Sequence, residues 1–263
     1  MKRALTIAGS DSGGGAGIQA DLKTFGALGV FGTSAITAIT AQNTLAVTRI
    51  QEIDADVVAA QIDAVVDDIG IDAAKTGMLS STRILEAVAA ALKRHRVPNL
   101  VVDPVMVAKS GARLLKEEAI GALKTRLLPL AEVVTPNIPE AEVLSGHKIS
   151  DVEAMRDAAK RIFDLGPKRV VIKGGHAEGP NVVDLYYDGE RFEEFKAERV
   201  QTHNTHGTGC TYSAAIAAYL AHGLPPLDAV ARAKEFLIAA LKTAPPIGKG
   251  IGPVNHFHAF HKT

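Results

Sequence analysis

Short β-branched runs alternate with longer helical patterns along almost the whole chain, and this alternation restricts the possible folds more than any other feature. Residues 3–8, 33–39, 100–102, 132–135 and 169–173 read as strands, residues 73–75 begin a short buried segment, and 18–28, 55–69, 84–93, 117–127 and 152–165 read as helices. Strands separated by helices of this length must pair in parallel, because a crossover is needed to bring each strand back in the same direction. The expected class is α/β, with a mostly parallel central sheet. The pair Asp188-Gly189, between the apolar-aromatic runs 182–187 and 191–196, predicts an antiparallel hairpin at one edge. Two more helices, 210–221 and 227–241, follow and stop at Pro245-Pro246. No repeat, linker or shift in composition marks a boundary, so residues 1–263 are expected to form a single domain.

Composition narrows the functional classes. Of 263 residues 47% are apolar, which supplies a large core and excludes a disordered chain. Lys plus Arg and Asp plus Glu are 29 each, so the net charge of +0 gives no field that would gather nucleic acid. Charges or glycines interrupt every apolar stretch well before the roughly 20 residues of a membrane span. The first 20 residues run into glycines and Asp11 where a secretory signal would turn apolar. With Cys210 as the only cysteine, no disulfide framework can form within the chain. A cytoplasmic protein is expected.

Ligands of open parallel sheets gather at the carboxyl ends of the strands. In this chain those positions are polar and glycine-rich. Thr205-His206-Gly207-Thr208-Gly209-Cys210 lies just before an apolar helix, where unencumbered amides and the helix dipole can form an anion hole; a plain helix-capping turn fits the same pattern. Cys210, in the first turn, is either a small apolar filler or a thiol that the dipole polarises into a base for a substrate hydroxyl. Asp103 ends one strand and Glu140 follows another. The two can hold Mg²⁺ through its waters, or cap helices and meet solvent. Gly15-Ala16-Gly17-Ile18-Gln19-Ala20 matches a relaxed dinucleotide motif, but the acidic residue needed after the next strand is replaced by Thr40-Ala41-Gln42-Asn43. A Walker motif is absent, since no Gly-Lys-Ser or Gly-Lys-Thr occurs. His256, His258 and His261 fit no structural zinc spacing, and His206 adjoins the anion hole.

The segments Ile7 to Lys23 (with Gly9-Ser10-Asp11-Ser12-Gly13-Gly14-Gly15-Ala16-Gly17-Ile18-Gln19-Ala20-Asp21), Thr37-Ala38-Ile39-Thr40-Ala41-Gln42-Asn43-Thr44, Lys75-Thr76-Gly77-Met78, Val102-Asp103-Pro104-Val105-Met106, Thr135-Pro136-Asn137-Ile138-Pro139-Glu140, Asn204 to Thr211 and Gly252-Pro253-Val254-Asn255-His256-Phe257-His258 together carry a resemblance. The chain resembles the bacterial hydroxymethylpyrimidine/phosphomethylpyrimidine kinases of thiamine biosynthesis, which belong to the ribokinase-like superfamily. The resemblance implies a three-layer sandwich, usually a homodimer. It also implies transfer of the γ-phosphate of Mg-ATP to 4-amino-5-hydroxymethyl-2-methylpyrimidine and then to the resulting monophosphate. By the same resemblance Gly9, Asp21, Gln42, Met78 and Val105 form the pyrimidine pocket, and Asp103, Asn137, Glu140 and Lys173 the nucleotide and Mg²⁺ side. Gly207, Thr208, Gly209 and Cys210 form the catalytic turn, with Cys210 where much of the superfamily has Asp. A pyridoxal kinase of the same lineage is the alternative, because pyridoxal also carries a hydroxymethyl group on a nitrogen heterocycle.

Overall fold

The computed structural model describes residues 1–107, 111, 114–176 and 179–260; His261 lies outside them. Within these residues one sheet has the strand order β3-β2-β1-β4-β5-β6-β7-β8-β9. Its strands are β1 (Arg3–Asp11), β2 (Phe31–Gln42), β3 (Val47–Glu52), β4 (Ala73–Thr76), β5 (Leu100–Val102), β6 (Val133–Val134), β7 (Val170–Ile172), β8 (Asn181–Tyr187) and β9 (Phe192–Glu198). The six from β2 to β7 in spatial order run parallel, whereas β3 at one edge and β8 and β9 at the other are antiparallel. The returning helices are α1 (Gly17–Ala27), α2 (Ala55–Ala64), α3 (Thr82–Arg94), α4 (Ala119–Ala122), α5 (Ile138–Ser145), α6 (Val152–Phe163), α7 (Thr208–Ala221) and α8 (Pro226–Lys242). The α/β sandwich and the β8–β9 hairpin are as the sequence predicts.

Successive strand residues point to opposite faces, and this builds two cores. Val102, Val134 and Ile172 pack under α2, α3, α5 and α6, while their neighbours Val101, Val133 and Val171 pack under α1, α7 and α8. Being buried on both faces is what makes these strands short continuous apolar runs. Helix α7 lies on β1, β4 and β5 between α1 and α8, buried from Thr211 to Leu220 except at Tyr219. Its alanines permit this close seating, so enlarging Ala215 to Leu is expected to overpack the helix by about 1–3 kcal/mol. Seating α7 fixes its amino end over the carboxyl ends of the central strands.

Two elements lie outside the sequence expectation. Strand β3 is an edge strand with most side chains exposed, so Val47-Thr48-Arg49-Ile50-Gln51-Glu52 carries no apolar pattern; its ladder with β2 alone makes it a strand. Helix α5 has eight residues, too few for a helical period to show, and is started by a capping box between Asn137 and Glu140.

Candidate active site

A cleft of about 730 Å³ opens along the carboxyl ends of β1, β4, β5 and β7. Gly9, Gln42, Met78, Val105, Asp103, Asn137, Glu140 and Lys173 line it, as do Gly207, Thr208, Gly209 and Cys210. Asp21 does not. Its side chain, expected in the pyrimidine pocket, is fully buried behind the cleft wall, where both carboxylate oxygens meet Lys75 Nζ at 3.0 and 2.9 Å and Thr6 donates to one at 2.6 Å. Lys75, at the end of β4, is the residue of this pair that borders the cleft. A lysine inside the run Ala73-Ala74-Lys75 was the available signal, since a buried lysine requires a carboxylate partner.

The catalytic turn is set by its backbone. Gly207 has φ +79°, and a Cβ there would collide with the Gly15 carbonyl, so glycine is required on both counts. Thr208 donates its hydroxyl to the Thr205 carbonyl at 2.6 Å, and Thr211 N–H bonds the Gly207 carbonyl at 2.8 Å. The amides of Gly209 and Cys210, in the first turn of α7, have no intrahelical acceptor. From the other side, residues 252–254 hold the turn through His206 N–H to Gly252 O at 2.9 Å and the His206–Pro253 bridge. Asp11 accepts from the amides of Gly13, Gly15 and Ala16 at 2.8–3.0 Å and meets His206 Nε2 at 2.8 Å, tying the first glycine loop to this turn. Burial opposes the Asp11 carboxylate, but these bonds hold its pKa below the ordinary value. Asp11 was not among the expected site residues, although an Asp before Gly13 and Gly15 is the pattern of an Asx turn.

Cys210 departs from the dipole argument. Burial pushes its thiol up to about 11; the nearby Lys75 ammonium opposes this, and the Asp21 and Asp103 carboxylates add to it. The helix amino end therefore leaves a protonated thiol near neutral pH rather than a polarised one.

The open end of the cleft holds Lys173, Asp103 and Glu140. Lys173 Nζ donates to Asp103 Oδ1 at 2.8 Å, and a Cβ on Gly209 would lie 3.5 Å from that ammonium and 3.7 Å from Asp103 Oδ2. Burial disfavours the Lys173 charge, yet Asp103 and Glu140 outweigh it and raise its pKa. Glu140 accepts the Asn137 amide at 2.8 Å while Asn137 accepts the Glu140 amide at 2.9 Å. Helix capping, the plainer of its two expected roles, is thus present together with its place in the cleft wall. Burial raises the Glu140 pKa to about 7 against the pull of Lys173, with Asp103 adding to the rise. Among the described residues no group of three or more His, Cys, Asp and Glu could form a protein cage for a metal. Two carboxylates without a cage fit Mg²⁺, which prefers waters and substrate phosphates for its remaining positions. The lining also includes the apolar Val182, Val200, Leu237, Ile238 and Leu241 beside the ion pair Lys234–Asp184, a group of residues outside the sequence expectation.

The turn thus reaches Gln42 through His206 and reaches Asp103 and Lys173 through Gly209. A family model described as phosphomethylpyrimidine kinase matches residues 11–255. The chain belongs to this family. It is 53% identical to the hydroxymethylpyrimidine/phosphomethylpyrimidine kinase of Rhizobium meliloti, over 98% of each chain. It is 54% identical to the thiamine biosynthesis bifunctional protein ThiED of Geobacter sulfurreducens, over 97% of this chain, and spans about half (52%) of that longer relative. Among solved structures, the ADP complex of a Bacillus subtilis pyridoxal kinase superposes with TM-score 0.93 at 44% identity, over 100% of both chains. A Clostridium difficile phosphomethylpyrimidine kinase gives 0.83 at 46% identity, over 92% of this chain and 100% of that one. Among the described residues no helix is long and apolar enough to cross a membrane.

Proposed function

We propose that this kinase family member phosphorylates 4-amino-5-hydroxymethyl-2-methylpyrimidine with Mg-ATP and then phosphorylates the monophosphate to the diphosphate, in thiamine biosynthesis. It acts as a cytoplasmic homodimer, as the resemblance implies. The observation that carries the reading is the shared turn: residues 206–210 touch a hydrogen-bonding amide, Gln42, on one side and a cation–carboxylate pair, Lys173–Asp103, on the other.

In this arrangement Gln42 offers a donor and an acceptor to the ring nitrogen and exocyclic amine of the substrate. Met78, whose sulfur would lie 3.1 Å from a Cβ on Gly9, and Val105 enclose the ring. Lys173 and Asn137 meet the nucleotide phosphates, and the apolar wall around Leu237 accommodates the base. Asp103 and Glu140 would hold Mg²⁺ through its waters, and the bound ion would supply charge neutralisation to those phosphates. The Gly209 and Cys210 amides bind the transferring group, where positioning and charge stabilisation dominate the barrier. Cys210 faces the substrate hydroxyl. With its pKa near 11 only about one thiol in 10⁴ is ionised at pH 7, so the first transfer proceeds through a scarce but strong base. The second attack uses a phosphate oxygen that is already ionised and requires no base.

Incubation with Mg-ATP and, separately, the hydroxymethylpyrimidine, its monophosphate and pyridoxal, followed by mass spectrometry of products, tests the assignment. Mono- and diphosphate from the pyrimidines are expected; pyridoxal phosphate as the dominant product would move the chain to the pyridoxal kinase alternative.

A further inference from the structure

The donors and acceptors around Gln42 fix more than its location. The backbone of Gln42 is pinned by the Ser12 hydroxyl, which accepts its N–H at 2.8 Å and donates to its carbonyl at 2.7 Å. Its amide lies between Thr40 Oγ1, 3.2 Å from Oε1, and His206 Nε2, 3.3 Å from Nε2. The Thr40 hydroxyl lies 2.9 Å from the Ser10 carbonyl, which can only accept, so its proton is committed there and its oxygen faces Gln42 as an acceptor. Asp11, an ionised carboxylate, lies 2.8 Å from His206 Nε2, so that nitrogen carries a proton aimed at the carboxylate; it has no lone pair with which to accept from Gln42 and can only share that proton with it. An NH₂ group turned to His206 therefore sets donor against donor, and a carbonyl turned to Thr40 sets acceptor against acceptor. A half-turn of the amide turns its NH₂ to the Thr40 oxygen and its carbonyl to the proton that His206 shares with Asp11, at the same heavy-atom distances. His206 itself cannot turn freely: its ring packs against Gly15, where a Cβ would collide with it.

We infer that His206, held by Asp11, is a positioning residue that turns the Gln42 carbonyl toward the catalytic turn and thereby selects a ring bearing an amino group beside its hydroxymethyl arm. This rests on the aminopyrimidine reading above. His206 adjoins Gly207, so Oε1 lies on the side nearer the phosphate-transfer turn and Nε2 on the far side. In the substrate the 4-amino donor is next to the carbon that carries the hydroxymethyl group, and the ring-nitrogen acceptor lies one atom further away. Donor and acceptor thus meet Oε1 and Nε2 in the matching order. Pyridoxal carries an aldehyde acceptor beside its hydroxymethyl group, which would oppose Oε1.

The test assays wild type, His206→Phe and His206→Gln with Mg-ATP and either the aminopyrimidine or its analogue lacking the 4-amino group. In the wild type, loss of the amino group is expected to lower kcat/KM about 30-fold, mainly through KM. His206→Phe removes the N–H and is expected to shrink that penalty below about threefold, whereas His206→Gln supplies an N–H at a similar position and restores it. A purely structural role lowers kcat/KM for both substrates alike and leaves the penalty intact; that result, or failure of His206→Gln to restore it, overturns the inference. If His206→Phe does not fold, ¹⁵N NMR of the wild type decides: a proton on His206 Nε2 is expected, and a neutral ring protonated only at Nδ1 overturns the inference. Wild type that phosphorylates neither pyrimidine would overturn the functional reading instead, and the NMR result would still decide the amide orientation.

Discussion

Three lysine–aspartate pairs place a lysine in the cleft wall, Lys75–Asp21, Lys173–Asp103 and Lys234–Asp184, and the surroundings of the first two give them opposite roles. In Lys75–Asp21 both side chains have 0% exposure, and both carboxylate oxygens are engaged by the lysine. In Lys173–Asp103 the lysine is 14% exposed, and Nζ bonds Oδ1 while Oδ2 lies toward the Gly209 turn. A pair whose carboxylate is fully engaged is a fixture of the fold, because separating it strands a charge in a low dielectric. A pair with positions left over can exchange part of its bonding with an incoming phosphate. On the proposed function the closed end supports the hydroxyl and its proton, and the open end receives the nucleotide.

Breaking the closed pair gives the largest expected effect. Asp21→Asn leaves the Lys75 ammonium without its counter-charge and is expected to destabilise the protein by about 3–5 kcal/mol in denaturant unfolding. The double variant Asp21→Asn, Lys75→Met removes the stranded charge and is expected to recover most of that loss; if it does not, the pair is more than a matched fixture. Lys173→Met probes the open end. A loss of about 10²–10³ in kcat is expected, comparable with removing one preorganised transition-state donor, with a smaller loss of stability than in Asp21→Asn because Lys173 is itself 14% exposed. Destabilisation as large as that of Asp21→Asn would erase the contrast between the ends.

Glu140 sharpens the comparison through pH. Its pKa is raised in the folded state to about 7 from an ordinary 4.5. The protonated form is thus favoured by folding, and this contribution is full below about pH 4.5 and lost as pH rises through 7. Glu140→Gln retains an acceptor for the Asn137 amide and removes the charge. It is expected to gain about 1–3 kcal/mol over wild type at pH 8 relative to pH 5, read from paired denaturant melts, while activity falls. A difference that does not change with pH would mean that Glu140 is already ionised at pH 5.

The central strands and the glycine turns were legible because burial on both faces leaves apolar runs, and because residues after those strands need positive φ or unhindered amides. Strand β3 was not legible, since an exposed edge strand is specified by its partner rather than by its own residues. The surroundings of Asp21 and Cys210 were not legible for a common reason. Their sequence neighbours point to a pocket contact and a lowered thiol pKa, whereas the burial of both side chains, and for Asp21 the pairing with Lys75, come from segments far away in the chain. The order of donors around Gln42 was likewise invisible, because Asp11, Thr40 and His206 come from three separate segments.

Single-turnover rates of the first and second phosphoryl transfers, in wild type and Cys210→Ala between pH 7 and 9, test the division of labour most directly. With a thiol pKa of about 11, the wild-type first transfer is expected to rise about tenfold per pH unit. Cys210→Ala is expected to slow it about 10²-fold while changing the second transfer less than about threefold and leaving it nearly independent of pH. Equal losses in both transfers, or a first transfer insensitive to pH in the wild type, would contradict the assignment of Cys210 to the hydroxyl proton.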